Sequence, residues 1–151
     1  LWRHVAAGTI DWVASDHACC MEAEKGDQLW PARPGFGGTA LLYPVLFSEG
    51  HRKRGLALSR VAELASANPA RAYNLWGRKG SLMVGFDADL TVVDPELAQT
   101  VDNEVCLSGQ DHTPFEGVEL TGWPVVTVVG GQVRFRDGET VGEPAGRYAR
   151  D

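Results

Sequence analysis

The stretch Ile10-Asp11-Trp12-Val13-Ala14-Ser15-Asp16-His17-Ala18 decides how the chain is read. Its apolar run predicts a short buried β-strand over residues 10–15, ended abruptly by a carboxylate and then an imidazole. Val, Trp and Ile sit in such a strand at low cost. An ionised Asp at its exit needs a partner, because desolvating an unpaired charge costs several kcal/mol. In barrels and open α/β sheets the C-terminal ends of strands are where ligands and metals sit. Asp16 is therefore a candidate metal ligand or general base. Spacing alone favours the plainer reading, a turn or N-cap Asp that starts the next loop.

On the N-terminal side of this stretch, residues 1–7 have helical composition and Gly8 is a stop just beyond them. On the other side, residues 17–39 show little periodicity and carry Gly26, Pro31, Pro34, Gly35, Gly37 and Gly38 as breakers. Loops this long are often lids or binding loops, and glycines let backbone approach a ligand closely. Residues 40–49 are apolar on most sides and predict a buried helix with Pro44 in its first turn or kinking it. Ser59 is a candidate N-cap for the next helix. Asn68-Pro69 then reads as a restart, with Asn as cap and Pro at the first position.

After Gly80 the period changes from helical to two. Residues 89–94 predict a strand, and 125–129 and 132–136 predict a hairpin closed by Gly130-Gly131. Asp137-Gly138 marks a further turn before a last short strand. The chain thus divides into a helical part, 1–78, and a mostly β part, 79–151.

The 151 residues suffice for a real core. The 14 Lys and Arg against 20 Asp and Glu give a net charge of -6. The longest basic run is Arg52-Lys53-Arg54, so nucleic acid is not an expected partner. Nor is a membrane, since no apolar run approaches the ~18 residues of a span. Three cysteines, with Cys19 and Cys20 adjacent, make no disulfide framework. With no secretory signal visible, they point to a reducing cytoplasm. His4, His51 and His112 read as ordinary surface or packing residues. His17 adjoins Asp16, but adjacent strand residues face opposite ways, so it is expected to orient the loop rather than share a metal.

Five stretches in register carry a family resemblance. They are Val13-Ala14-Ser15-Asp16-His17-Ala18; Arg33-Pro34-Gly35-Phe36-Gly37-Gly38; Asn68-Pro69-Ala70-Arg71 with Lys79-Gly80; Val84-Gly85-Phe86-Asp87-Ala88-Asp89-Leu90 with Val93-Asp94-Pro95; and Pro114-Phe115-Glu116-Gly117 through Gly122-Trp123-Pro124-Val125. Together they resemble the cyclic amidohydrolases: hydantoinases, dihydropyrimidinases, allantoinases and dihydroorotases. The resemblance implies an α/β fold, the C-terminal part of a TIM-like (β/α)8 metal-dependent hydrolase barrel followed by part of a small β-sandwich. It implies that the chain is the C-terminal portion of a longer protein, inactive by itself.

The implied reaction is hydrolysis of a cyclic amide C–N bond in a small cyclic amide or ureide substrate. An unactivated amide needs a polarised carbonyl and a hydroxide-like nucleophile, which two divalent metals, usually zinc in this family, can supply. Asp16 matches the family's last-strand ligand and would also be its general acid/base. Most other ligands would lie outside this chain. The substrate loop aligns with Pro31, Arg33, Gly35 and Gly37. Pro31-Ala32-Arg33 stands where hydantoinases often carry Asn-Gly-Gly, and Pro31 has no N–H to offer a ring. A homo-oligomer is implied for the complete protein. The competing readings are a non-catalytic dihydropyrimidinase-related assembly protein of the collapsin-response type, and a self-contained oligomerisation module using unpaired strand edges.

Overall fold

The computed structural model describes residues 1–149. Helix α1 (Trp2–Ala6) is followed by an extended segment and a long loop with one 3-10 turn, Glu22–Glu24. A helical rod then begins with a 3-10 turn (Thr39–Leu41), runs through α2 (Leu42–Val45) and continues into a π-helical stretch, Leu46–Arg52. A second rod comprises α3 (Leu58–Ala62), a π-helical turn (Glu63–Ala67) and α4 (Asn68–Ala72). The last third is an antiparallel sheet in the order β1 (Leu90–Thr100), β2 (Glu119–Val129), β3 (Gln132–Arg136) and β4 (Glu139–Thr140).

Residues 10–15 do not form the predicted strand. A ladder needs a neighbouring strand, and among the described residues the sheet β1–β4 lies elsewhere. The segment's backbone is satisfied by the second helical rod instead. Val13 N–H donates to Leu64 O at 3.1 Å, Arg60 Nη2 to Ile10 O at 2.6 Å, and Asn68 Nδ2 to Asp11 O at 2.8 Å. Asn68 is accordingly no cap. It is helical (φ -72°), in a rod that does not restart. Pro69 enters where the wider π-helical turn ends, so its missing N–H breaks no regular α-helical ladder. Ser59 likewise lies inside α3, whose N-cap is Ala57.

Two apolar clusters hold the chain together. One gathers Val5, Leu46, Leu56, Val61 and Leu64, with Trp2, Ile10 and Val13 against it. The other gathers Leu41, Val101, Cys106, Leu120 and Trp123, with Val45 and Phe115 against it. The first rod supplies side chains to both, Leu46 to one and Leu41 with Val45 to the other.

The sheet explains residues that look hostile to strands. Pro95 sits in a register shift between Asp94 and Ala98, where Asp94 Oδ1 accepts the Glu96 and Leu97 N–H groups at 2.9 and 3.3 Å. Gly122 has φ +90° and lies against the Phe47 ring. The Gly130-Gly131 turn, with φ +57° and +78°, pairs Val129 with Gln132 as expected for a type I′ hairpin.

An ion cluster fastens the approach to β1 onto that hairpin. Lys79 Nζ contacts Asp87 at 2.9 Å and Asp89 more closely, and Asp89 Oδ1 accepts the Gly130 N–H at 2.7 Å. The Lys79 bond holds the Asp87 carboxyl below its usual range. Burial works to raise Asp89, but the Lys79 and Gly130 bonds outweigh it and the net shift is downward. Asp89 and Asp87 in turn raise Lys79. A depressed carboxyl stabilises the fold above its unfolded pKa, and that contribution disappears as pH falls through the folded value. Lys79→Met is therefore expected to lower the melting temperature at pH 7. The deficit should begin to shrink as pH drops below about 4, the unfolded value, and close as it falls through the lowered folded values of Asp87 and Asp89. Thermal melts of both proteins at pH 7 and pH 3 check this. A deficit of the same size at pH 3 would show that the stem of Lys79, and not its charge, does the fastening.

Candidate active site

The extended segment delivers Asp16 at a left-handed turn, φ +46°. Asp enters this region more readily than most residues. Its carboxylate is exposed and has no hydrogen-bond or ion-pair partner among the described residues. Asp16 thus behaves neither as an N-cap nor as one half of a salt bridge. It is an acid presented by its backbone with its lone pairs uncommitted.

The neighbouring side chains are all occupied in holding loops. Ser15 Oγ lies 3.3 Å from Thr39 Oγ1. His17 Nδ1 accepts the Gly38 and Thr39 N–H groups at 3.2 and 3.3 Å. Its proton therefore belongs on Nε2, which faces Ser108 Oγ at 3.4 Å. His17 orients the loop, as expected, and ties the start of the first rod to the excursion between β1 and β2.

Gly35 and Gly37 pack directly against this corner. Ala18 N–H donates to Phe36 O at 3.1 Å. Gly35 O accepts Lys25 Nζ at 2.6 Å and Cys20 Sγ at 3.4 Å. A Cβ on Gly35 would come within 2.7 Å of the Ala18 carbonyl. A Cβ on Gly37 would lie 2.9 Å from His17 Cε1 and would overlap Gln110 Oε1, which accepts the Gly37 N–H. Close backbone approach thus requires glycine at both positions. Pro31 and Arg33 are exposed, and Arg33 pairs with Glu24. Of the four loop residues, the structure brings Gly35 and Gly37 beside Asp16-His17-Ala18. Arg33 is engaged elsewhere, and no hydrogen bond links Pro31 to that corner among the described residues.

An apolar cavity of about 260 Å³ opens alongside, lined among others by Trp2, Val13, Ser15, Phe36, Leu42 and Phe115. Phe36 and Phe115 meet edge to face at 6.0 Å, so one wall belongs to the glycine loop and the other to the β1–β2 excursion. Ser108, Gln110 and Phe115 of that excursion reach the corner, and Asp111 Oδ1 accepts the Glu22 N–H of the adjoining loop at 2.7 Å. Local sequence periodicity cannot locate such contacts, which cross 70 to 90 positions of chain. The Pro114-Phe115-Glu116-Gly117 motif is the one sequence signal near them.

Among the described residues, no three His, Cys, Asp or Glu side chains come together to hold a metal ion. Asp16 suits the role of one ligand, with both oxygens available, but a catalytic site needs more than a single carboxylate. No helix among those residues is long and apolar enough to cross a membrane.

Comparison with known proteins agrees with the geometry. Residues 1–134 match the model of the amidohydrolase family. The chain is 38% identical over 151 residues to an allantoinase of Rubrobacter xylanophilus, covering 99% of this chain and 33% of that protein. It is 39% identical over 150 residues to a dihydroorotase of Halobacterium salinarum, covering 99% of this chain and 35% of that protein. The solved D-hydantoinase (dihydropyrimidinase) from Thermus sp. superposes with a TM-score of 0.90 at 33% identity, over 94% of this chain and 32% of its own. The chain spans about a third of the length of these relatives. An uncommitted acid at a glycine-braced corner, a match over most of the sequence and a close superposition lead to one statement: the chain belongs to the amidohydrolase family.

Proposed function

We propose that this chain is the carboxy-terminal part of a cyclic amidohydrolase that opens a small cyclic amide or ureide of the hydantoin, dihydropyrimidine, allantoin or dihydroorotate class. Residues 1–78 contribute the end of a (β/α)8 barrel, and 79–151 contribute part of a β-sandwich completed by other segments. The observation that carries the reading is Asp16, an unpartnered carboxylate at the corner where the glycine loop packs. The long exposed edge of β1 supports assembly with further strands, whether of the same polypeptide or of a second copy. A cytoplasmic setting fits its three free cysteines.

Asp16 would hold one metal, and its carboxylate accepts the proton of the attacking water. It then returns that proton to the leaving nitrogen, so the ring opens without expelling an amide anion. When bound, two divalent metals, zinc by analogy with the family, supply the Lewis acidity that an unactivated amide requires. Gly35 and Gly37 place backbone against the ring, and Phe36 and Phe115 line the apolar cavity alongside. Pro31 and Arg33 lie on the approach to that loop.

Two measurements test the reading. The complete polypeptide is expected to hold about two zinc ions per subunit and to lose activity on chelation. It is also expected to turn over at least one of the four ring types. A metal-free protein inactive on all four would favour instead a non-catalytic assembly role.

A further inference from the structure

We propose that Gln110 is a positioning residue for the glycine loop: its side-chain oxygen accepts the Gly37 N–H and thereby sets the backbone of residues 35–38 beside Asp16. The inference rests on the reading of Gly35 and Gly37 as the substrate loop.

Three observations support it. Gln110 is 4% exposed and Gly37 is buried, so water cannot replace their hydrogen bond when it is lost. The amide has one workable orientation. Turned over, Nε2 would face the Gly37 N–H, donor against donor. As it stands, Nε2 has no partner among the described residues, and within them the contact with Gly37 is the side chain's one hydrogen bond. The fit is also tight, since a Cβ on Gly37 would overlap Gln110 Oε1.

Gln110 is itself held from behind. Asn103 Nδ2 donates to the Gln110 carbonyl at 2.8 Å, and Asp102 Oδ1 accepts the Val105 N–H at 2.9 Å. The excursion is closed at its base by Val101, fully buried in the sheet-side core, whose N–H donates to Val118 O at 2.8 Å and whose carbonyl accepts the Gly117 N–H at 2.9 Å. Ser108 on His17 and Asp111 on Glu22 flank the same contact. A buried glutamine of the β1–β2 excursion therefore governs the glycine loop from outside the reacting centre.

The test compares Gln110→Met, which keeps the length and removes the acceptor, with Gln110→Glu, which restores it, in the complete polypeptide. Gln110→Met is expected to raise KM roughly tenfold with kcat and zinc content near those of the parent, while Gln110→Glu recovers most of the loss. Equal KM in Gln110→Met and parent would overturn the proposal. So would a rise in KM that Gln110→Glu fails to reverse while folded. Amide hydrogen exchange gives an answer independent of activity. Gly37 and Gly38 should exchange faster in Gln110→Met, and unchanged protection there would also overturn it. If the parent turns over none of the four rings, the hydrolase reading falls while exchange still decides the role of Gln110. Should both variants fail to fold, Asn103→Ala is expected to give a smaller change of the same sign, and no change would count against the proposal.

Discussion

Asp16→Asn in the complete polypeptide is expected to lower kcat/KM by roughly 10⁴-fold while leaving the fold intact. The size follows from two losses at one position, since an amide neither accepts a proton at neutral pH nor binds a divalent cation as a carboxylate does. The intact fold follows from exposure: Asp16 has no partner among the described residues, so removing its charge leaves nothing unpaired. Asn is the informative replacement because it too tolerates the φ of +46° found there. Asp16→Ala should be equally inactive and, in addition, less stable by up to about 1 kcal/mol, because alanine enters the left-handed region less readily than Asp or Asn. Steady-state kinetics with thermal melts on both variants separates the effects. Activity within a few-fold of the parent in either variant would remove Asp16 from the mechanism.

Gly122→Ala should produce the largest loss of stability, about 3 kcal/mol, from two additive sources. The backbone there has φ +90°, which an L side chain rarely adopts. The new Cβ would also sit 2.6 Å from Phe47 Cγ and 2.5 Å from Cε1, so the ring or the strand must move. Phe47 is buried on the rod that crosses the sheet and has little freedom to yield. Adding Phe47→Leu should relieve the overlap but not the backbone strain, so the double variant is expected to be more stable than the sum of the single losses implies. Urea titrations of the four proteins measure this coupling. Strict additivity would show that the ring is not what Gly122 accommodates.

How much was legible beforehand depended on whether the cause was local. The Gly130-Gly131 and Asp137-Gly138 turns are encoded by residues that adopt positive φ, and both hairpins stand where those pairs fall. The long strands are legible only in part. Pro95 and Gly122 look like breakers, yet β1 and β2 absorb them in register shifts or close packing that involve partners far along the chain. Asn68-Pro69 looks like a helix start, and nothing local announces the π-helical turn that lets the rod run through it. Residues 10–15 have strand composition, but a ladder is a property of two segments and the second is not among the described residues. At the site, Asp16, Gly35 and Gly37 could be picked out by pattern. Gln110, Ser108 and Phe115 could not, because their importance arises from tertiary contact.

The first helical rod lends side chains to both apolar clusters, and this has a thermodynamic corollary. Neither half can melt while the other keeps its full complement of neighbours, so denaturation of the two halves should be a single cooperative event. Damage to the sheet then reaches Asp16 as a smaller population of intact molecules, not as a distorted acid. Variants far out on the β half should accordingly lower the amount of working protein while each surviving molecule performs as before.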